Sequence, residues 1–233
     1  MLVKNWMTQP VATINRSDTI GLANQMIKER NIRSLPVLSE DTLVGIITDR
    51  DLKKAYVSEK TGLEAPKVAY LNTRVKVGSI MTKSVITVKP NTTVDEVAKI
   101  MLKHKISSVP VLDDAEKVIG IITLSDIFRL LISLTGIEAE GTQIAVEIST
   151  ETGTVKEVAD IIRSVGGRIS NLLTSYDVDH VPKGFRHAYF KTFDIAPEKI
   201  DDLIKQLETK VKILYIIKHF GDETPPKVHL MNI

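Results

Sequence analysis

The sequence predicts a mixed α/β (α+β) chain in which a strand-helix-strand-strand-helix unit is written twice and a βαββαβ domain follows. Three observations predict it. GIITDRD at residues 45–51 returns as GIITLSD at residues 120–126. Upstream of both lies a longer gapless match, MTQPVATINRSDTIGLANQMIKERNIRSLPVL from Met7 against MTKSVITVKPNTTVDEVAKIMLKHKISSVPVL from Met81, with about a third of the positions identical. After LTGIEAEGT the repeat stops, and alternating apolar runs bracket two segments of helical period.

Each element of the repeat follows from its local pattern. VATI, Val11 to Ile14, reads as a short strand, and Ile20, Ala23, Met26 and Ile27 then recur at helical spacing. In the second copy Val94, Val97, Ile100 and Met101 keep that phase, with Thr93 and Glu96 placed as a capping box. Asn31 suits a left-handed position at the helix end. SLPVL from Ser34 and SVPVL from Ser108 read as strands with proline near their start, and polar turns lead to the GIIT strands, whose continuous apolar runs suit burial on both faces. A second helix follows, with Ile127, Leu130, Leu131 and Leu134 as its stripe in the second copy. Residues 53–78, rich in lysine, read as a helix end and a linker crossing the pair.

The final third reads differently. QIAVEIS alternates as a strand, and Val155, Val158, Ile161, Ile162 and Val165 form a helix stripe closed by Gly166 and Gly167. RISNLLTSYD and FRHAYFKTF read as strands around the turn VDHVPKG, a helix with Ile200, Leu203, Ile204 and Leu207 in phase starts near Pro197, and VKILYIIKHF is the last strand. That order is ferredoxin-like. The expected boundaries are residues 1–74 for the first repeat with its linker, 75–137 for the second, 142–221 for the βαββαβ domain and 222–233 for a tail.

Composition narrows the function. A chain of 233 residues with 43% apolar and 26% charged residues can bury a core, and its net charge of +2, with both signs interspersed, offers no field to nucleic acid or an anionic membrane. The apolar stretch 118–137 reaches membrane length, but Asp126 and Arg129 at its middle would each cost roughly 3 kcal/mol in a bilayer. There is no cysteine, the N-terminus lacks a signal-peptide layout, and the default expectation is cytoplasmic. His104, His180, His187, His219 and His229 show no ligand spacing, and no nucleophile motif or P-loop is present, so neither a catalytic residue nor a metal is expected.

The repeated ending carries the chemistry. Thr48 and Thr123 close their strands where a helix begins, so a hydroxyl stands beside backbone N–H groups and the positive end of a helix, a setting for phosphate. Asp51 and Asp126, three residues on, suit the two hydroxyls of a ribose. The plainer alternative is that Thr and Asp stabilise the helix start.

The M-T-x-x-V-x-T strand, the S-x-P-V-L strand and G-I-I-T-x-x-D together resemble the cystathionine β-synthase (CBS) domain family, whose domains occur in tandem as a Bateman module. The resemblance covers about residues 1–135 and implies two clefts for adenosine derivatives, each joining the T-x-x-D of one repeat to the first strand and S-x-P region of the other. One would combine Thr123 and Asp126 with Thr8, Thr13, Ile32, Arg33 and Pro36; the other would combine Thr48 and Asp51 with Thr82, Thr87, Ile106, Ser107 and Pro110. Arg33 would favour phosphate in the first cleft, where the second has Ser107; His104 and Arg50 are further phosphate candidates. AMP, ADP, ATP, S-adenosylmethionine and NAD all remain open.

The C-terminal strand, TETG and VGGRISNL resemble an ACT domain, which implies amino-acid contacts from Glu151, Gly153 and Asn171, although Thr152 stands where proline is common. A domain used only for dimerisation is the other reading. The whole order resembles the acetoin utilization protein family. It implies a non-catalytic, homodimeric regulator in which an adenine nucleotide or S-adenosylmethionine acts as a signal, with the ACT domain or a partner protein as its target. The alternative is an assembly subunit whose domains serve dimerisation alone.

Overall fold

A computed structural model describes residues 1–55, 74–175 and 181–219. It divides into two compact units, Met1–Phe128 and Arg129–Ile233. The linker core, the turn residues around His180, and the tail with His229 lie outside the described residues.

In the first unit, the first repeat runs β1 (Ile14–Asn15), α1 (Ile20–Glu29), β2 (Ser34–Ser39), β3 (Thr42–Thr48) and α2 (Asp49–Ala55). After the short α3 (Val77–Ile80), the second repeat runs α4 (Val94–His104), β4 (Ser108–Leu112), β5 (Val118–Thr123) and α5 (Leu124–Thr135), inside which the unit boundary falls. Thr19 caps α1 through the Leu22 N–H, and Thr93 and Glu96 form a full capping box on α4. Asn31 and its equivalent Lys105 are left-handed, with φ of 50° and 54°. Ile20, Ala23 and Ile27 pack with Leu35, Val37 and Ile47.

Three expectations change. Only the end of VATI is a strand, because Ile14 and Asn15 alone meet β2 in parallel register; the second copy retains a single bridge, Val88 to Val111. The GIIT strands pair antiparallel with β2 and β4; burial on both faces holds in the second copy, where Ile121 and Ile122 are both buried, but in the first Ile46 and Thr48 stay half-buried. In α5, Leu130 is buried but Leu131 is 51% exposed, since it lies about 100° round the helix from Leu130.

The repeats interlock by exchanging their lead-in segments. Val3 and Lys4 donate N–H bonds to the Thr92 and Pro90 carbonyls, while Val77 and Gly78 donate to those of Asp18 and Arg16. Each Met-Thr pair then crosses the other repeat's GIIT strand: Thr8 exchanges both backbone bonds with Ile121, and Thr82 does so with Ile46. The crossing explains the glycine of GIIT. A Cβ at Gly45 would stand 2.8 Å from Met81 Cγ and 3.0 Å from the Thr82 carbonyl; at Gly120 it would stand 3.1 Å from Met7 Cγ and 3.2 Å from the Thr8 carbonyl. Gly45→Val should therefore destabilise the first unit by about 1–3 kcal/mol, read by denaturant unfolding, because a backbone carbonyl cannot rotate away as a thioether can.

The second unit continues with β6 (Gly141–Ser149), α6 (Thr154–Ser164), β7 (Arg168–Thr174), β8 (Phe185–Phe193), α7 (Ile200–Glu208) and β9 (Lys212–His219). Its sheet order is β7-β8-β6-β9, with every pairing antiparallel, which is the ferredoxin-like arrangement. Ile144, Val146, Ile148 and Phe190 from the sheet meet Val158, Ile162, Leu203 and Leu207 from the helices.

Lys191 on β8 is 5% exposed, and its Nζ has no hydrogen-bond partner among the described residues. Burial lowers its pKa from the ordinary lysine value. The unfolded chain therefore binds this proton more readily, so stability is penalised at neutral pH and rises through the alkaline range, between the lowered pKa and the ordinary one. Lys191→Met should raise the melting temperature at neutral pH and flatten that alkaline rise, both measured by thermal unfolding across pH.

Candidate nucleotide site

The cleft is built where β3 passes into α2. Thr48 Oγ1 donates to Asp51 Oδ2 at 2.6 Å, the Thr48 N–H donates to the same oxygen at 3.0 Å, and the Asp51 N–H returns a 3.3 Å bond to Thr48 Oγ1. The second repeat copies this geometry, with Thr123 donors at 2.7 and 2.8 Å from Asp126 Oδ2 and the Asp126 N–H 3.4 Å from Thr123 Oγ1. T-x-x-D is thus a reciprocal cap in both copies. The neighbouring N–H groups are engaged as well: Asp49 donates to the Arg33 carbonyl and Leu124 to that of Ser107. This corrects the phosphate setting expected from the sequence, since the threonine hydroxyl and two of the first three helical N–H groups of α2 already have acceptors. Asp51 Oδ1 remains, with no partner among the described residues.

A cavity of 810 Å³ opens beside Asp51. Its apolar lining residues include Ile46 from β3, Val85 and Ile86 from the second repeat's first segment, Met101 and Leu102 from the end of α4, and Ile106 just beyond it. Leu102 is 78% exposed. The polar lining residues include Thr48, Asp51, Thr82 and Ser107 beside Arg33, Arg50, Lys53 and Lys105. Lys53 holds Asp49 at 3.0 Å. Arg33, Arg50 and Lys105 form no ion pair among the described residues.

Of the residues expected in this cleft, Thr48, Asp51, Thr82, Ile106 and Ser107 come together. Thr87 and Pro110 do not line it; Pro110 is buried in β4 opposite Ile121. Arg33, expected with Thr123, lines this cavity, because its carbonyl is tied to the helix start of its own repeat. The cation that was to favour the other cleft therefore stands here. Of the two further phosphate candidates, Arg50 lines the cavity and His104 does not. For the other cleft, Thr8 bridges Ile121, Thr13 and Ile32 are half-buried, Pro36 is buried opposite Ile46, and Asp126 is 3% exposed. Sequence reasoning missed Lys53 and Lys105. The signal available was their position, Lys53 two residues after the T-x-x-D aspartate and Lys105 directly before Ile106.

In the second unit, Gly153 caps α6 with φ of 102°, and Thr154 Oγ1 donates to the Ser149 carbonyl. Asn171 pairs with Lys191, which is level with Gln143. That places it six residues of β6, roughly 20 Å, from Ser149 and the Glu151 loop. Within one copy, this register sets Asn171 apart from the loop of Glu151 and Gly153. Among the described residues no group of three or more acidic or histidine side chains is placed to hold a metal, and no helix is long and apolar enough to cross a membrane.

The CBS domain description matches residues 3–58 and 77–133. A CBS domain-containing protein of Dictyostelium discoideum is 35% identical over 139 residues, which cover 58% of this chain and 93% of that protein. The chain belongs to the CBS domain family. CBS pairs also occur as parts of longer proteins: an L-aspartate semialdehyde sulfurtransferase of Methanocaldococcus jannaschii is 38% identical over 130 residues, and the match spans 55% of this chain but 23% of that enzyme. Among solved structures, CBSX2 from Arabidopsis thaliana is 26% identical at a TM-score of 0.50, over 58% of this chain and 96% of that one. CBSX2 has also been solved in complex with AMP. The CBS domain pair of protein MJ0100, solved with 5′-methylthioadenosine and S-adenosyl-L-methionine, is 36% identical at a TM-score of 0.48, over 57% and 97%.

Proposed function

We propose that this protein is a non-catalytic sensor that binds an adenosine nucleotide in the cleft of Thr48 and Asp51. The observation that carries the reading is one cavity lined both by apolar side chains, which suit a purine, and by the Asp51 carboxylate with cations that form no ion pair among the described residues. Asp51 Oδ1 accepts from the ribose, and the cations take the phosphate. The adenosine class comes from the CBS resemblance.

Because the cleft draws Thr48 and Asp51 from one repeat and Thr82, Ile106 and Ser107 from the other, a bound ligand favours the relative orientation of the repeats that it fits best. Our reading is that this orientation is passed to the C-terminal domain, acting as an ACT domain in a homodimer, or to a partner protein. A second reading, an assembly subunit that binds no ligand, draws on the reciprocal Thr and Asp bonds, which account for T-x-x-D as a cap. Thermal unfolding with AMP, ATP or S-adenosylmethionine separates the two. A sensor gains about 2.7 kcal/mol at 100 times the dissociation constant; an assembly subunit melts unchanged with all three.

A further inference from the structure

The charged side chains lining the cavity carry the ligand assignment further, resting on the nucleotide reading above. Six charged side chains face the cavity: Arg33, Arg50, Lys53 and Lys105 against Asp49 and Asp51. Lys53 and Asp49 neutralise each other at 3.0 Å. Asp51 spends one oxygen on two Thr48 donors, and its other oxygen is the natural acceptor for ribose hydroxyls. Three cations are left over: Arg33, Arg50 and Lys105, drawn from both repeats and without ion-pair partners among the described residues. A sulfonium ligand would add positive charge to this lining, and a nucleoside thioether would leave the three cations facing water. AMP, with one phosphate, engages them in part. The longer phosphate tail of ADP or ATP offers more oxygens to the three.

We infer that this cleft selects adenosine polyphosphates, ATP and ADP, over AMP, and AMP over S-adenosylmethionine. Arg33 and Arg50 can each bind two phosphate oxygens at once, whereas Lys105 acts as a point charge from its left-handed helix-end position. All three side chains are exposed, so the preference weakens as salt screens them.

The test is calorimetric titration of the full-length protein with ATP, ADP, AMP and S-adenosylmethionine at low and high salt. The same titrations are run on Arg50→Gln and Lys105→Asn, asparagine being chosen because it tolerates the left-handed backbone at that position. ATP should bind at least tenfold tighter than AMP at low salt, S-adenosylmethionine should bind more weakly than AMP, and each variant should narrow the ATP to AMP ratio severalfold. Equal binding of the three nucleotides, or tighter binding of S-adenosylmethionine, overturns the selection while leaving the nucleotide site standing. A ratio unmoved by salt and by both variants also overturns it. Failure of all four compounds to bind overturns the site and the selection together.

Discussion

Asp51→Ala should lower the affinity for an adenosine nucleotide at least a hundredfold while leaving the protein folded. The ribose contact uses a charged acceptor, and two such hydrogen bonds at about 1.5–3 kcal/mol each exceed the 2.8 kcal/mol that a hundredfold represents. The same carboxylate also closes the cap on α2, so the variant loses about 1 kcal/mol of stability at that helix end. Thr48→Ala breaks that cap as well but keeps the carboxylate. Titrating AMP into both variants therefore separates ligand contact from helix capping. A large loss in Asp51→Ala with a small one in Thr48→Ala supports the ribose role; equal losses would mean that binding follows helix integrity instead. Asp126→Ala, run alongside, reports on the second copy, where the cap is repeated but the carboxylate is 3% exposed.

Phe190→Ala should cost the second unit about 3–5 kcal/mol. Phe190 is fully buried in β8, within a core that gathers Ile144 and Val146 from the sheet with Val158, Ile162, Leu203 and Leu207 from both helices. Removing its ring leaves a cavity bounded by three elements that the sheet holds apart. The first unit has its own core around Ile20, Leu35, Val37 and Ile47 and contributes none of the Phe190 cluster. Denaturant unfolding of the variant should shift one transition and leave nucleotide affinity in the first unit unchanged. A single transition, shifted together with a loss of affinity, would contradict independent cores.

What the sequence disclosed, and what it did not, follows the range of the interactions involved. The Thr93 and Glu96 box, the left-handed Asn31 and the βαββαβ order are set by residues within one or two turns of each other, and they stand where the pattern placed them. The sequence left T-x-x-D open between a ligand site and a helix-start cap, because one spacing serves both equally well; the cap is what the Thr and Asp bonds form. Exchange of the lead-in segments rests on bonds such as that from Val3 to Thr92, which no local pattern encodes, and so did not show. Arg33 was expected with Thr123 for the same reason: its place depends on the bond from Asp49 to its carbonyl. Asn171 and Glu151 lie apart through the pairing register of three strands, which alternation along each strand leaves open.

The most direct test of the nucleotide site is a crystal structure of the protein grown with AMP. The purine is expected against Ile46, Ile86 and Leu102, with both ribose hydroxyls within hydrogen-bond distance of the Asp51 carboxylate. Nucleotide found only beside Thr123 and Asp126, or none bound at saturating concentration, would contradict it.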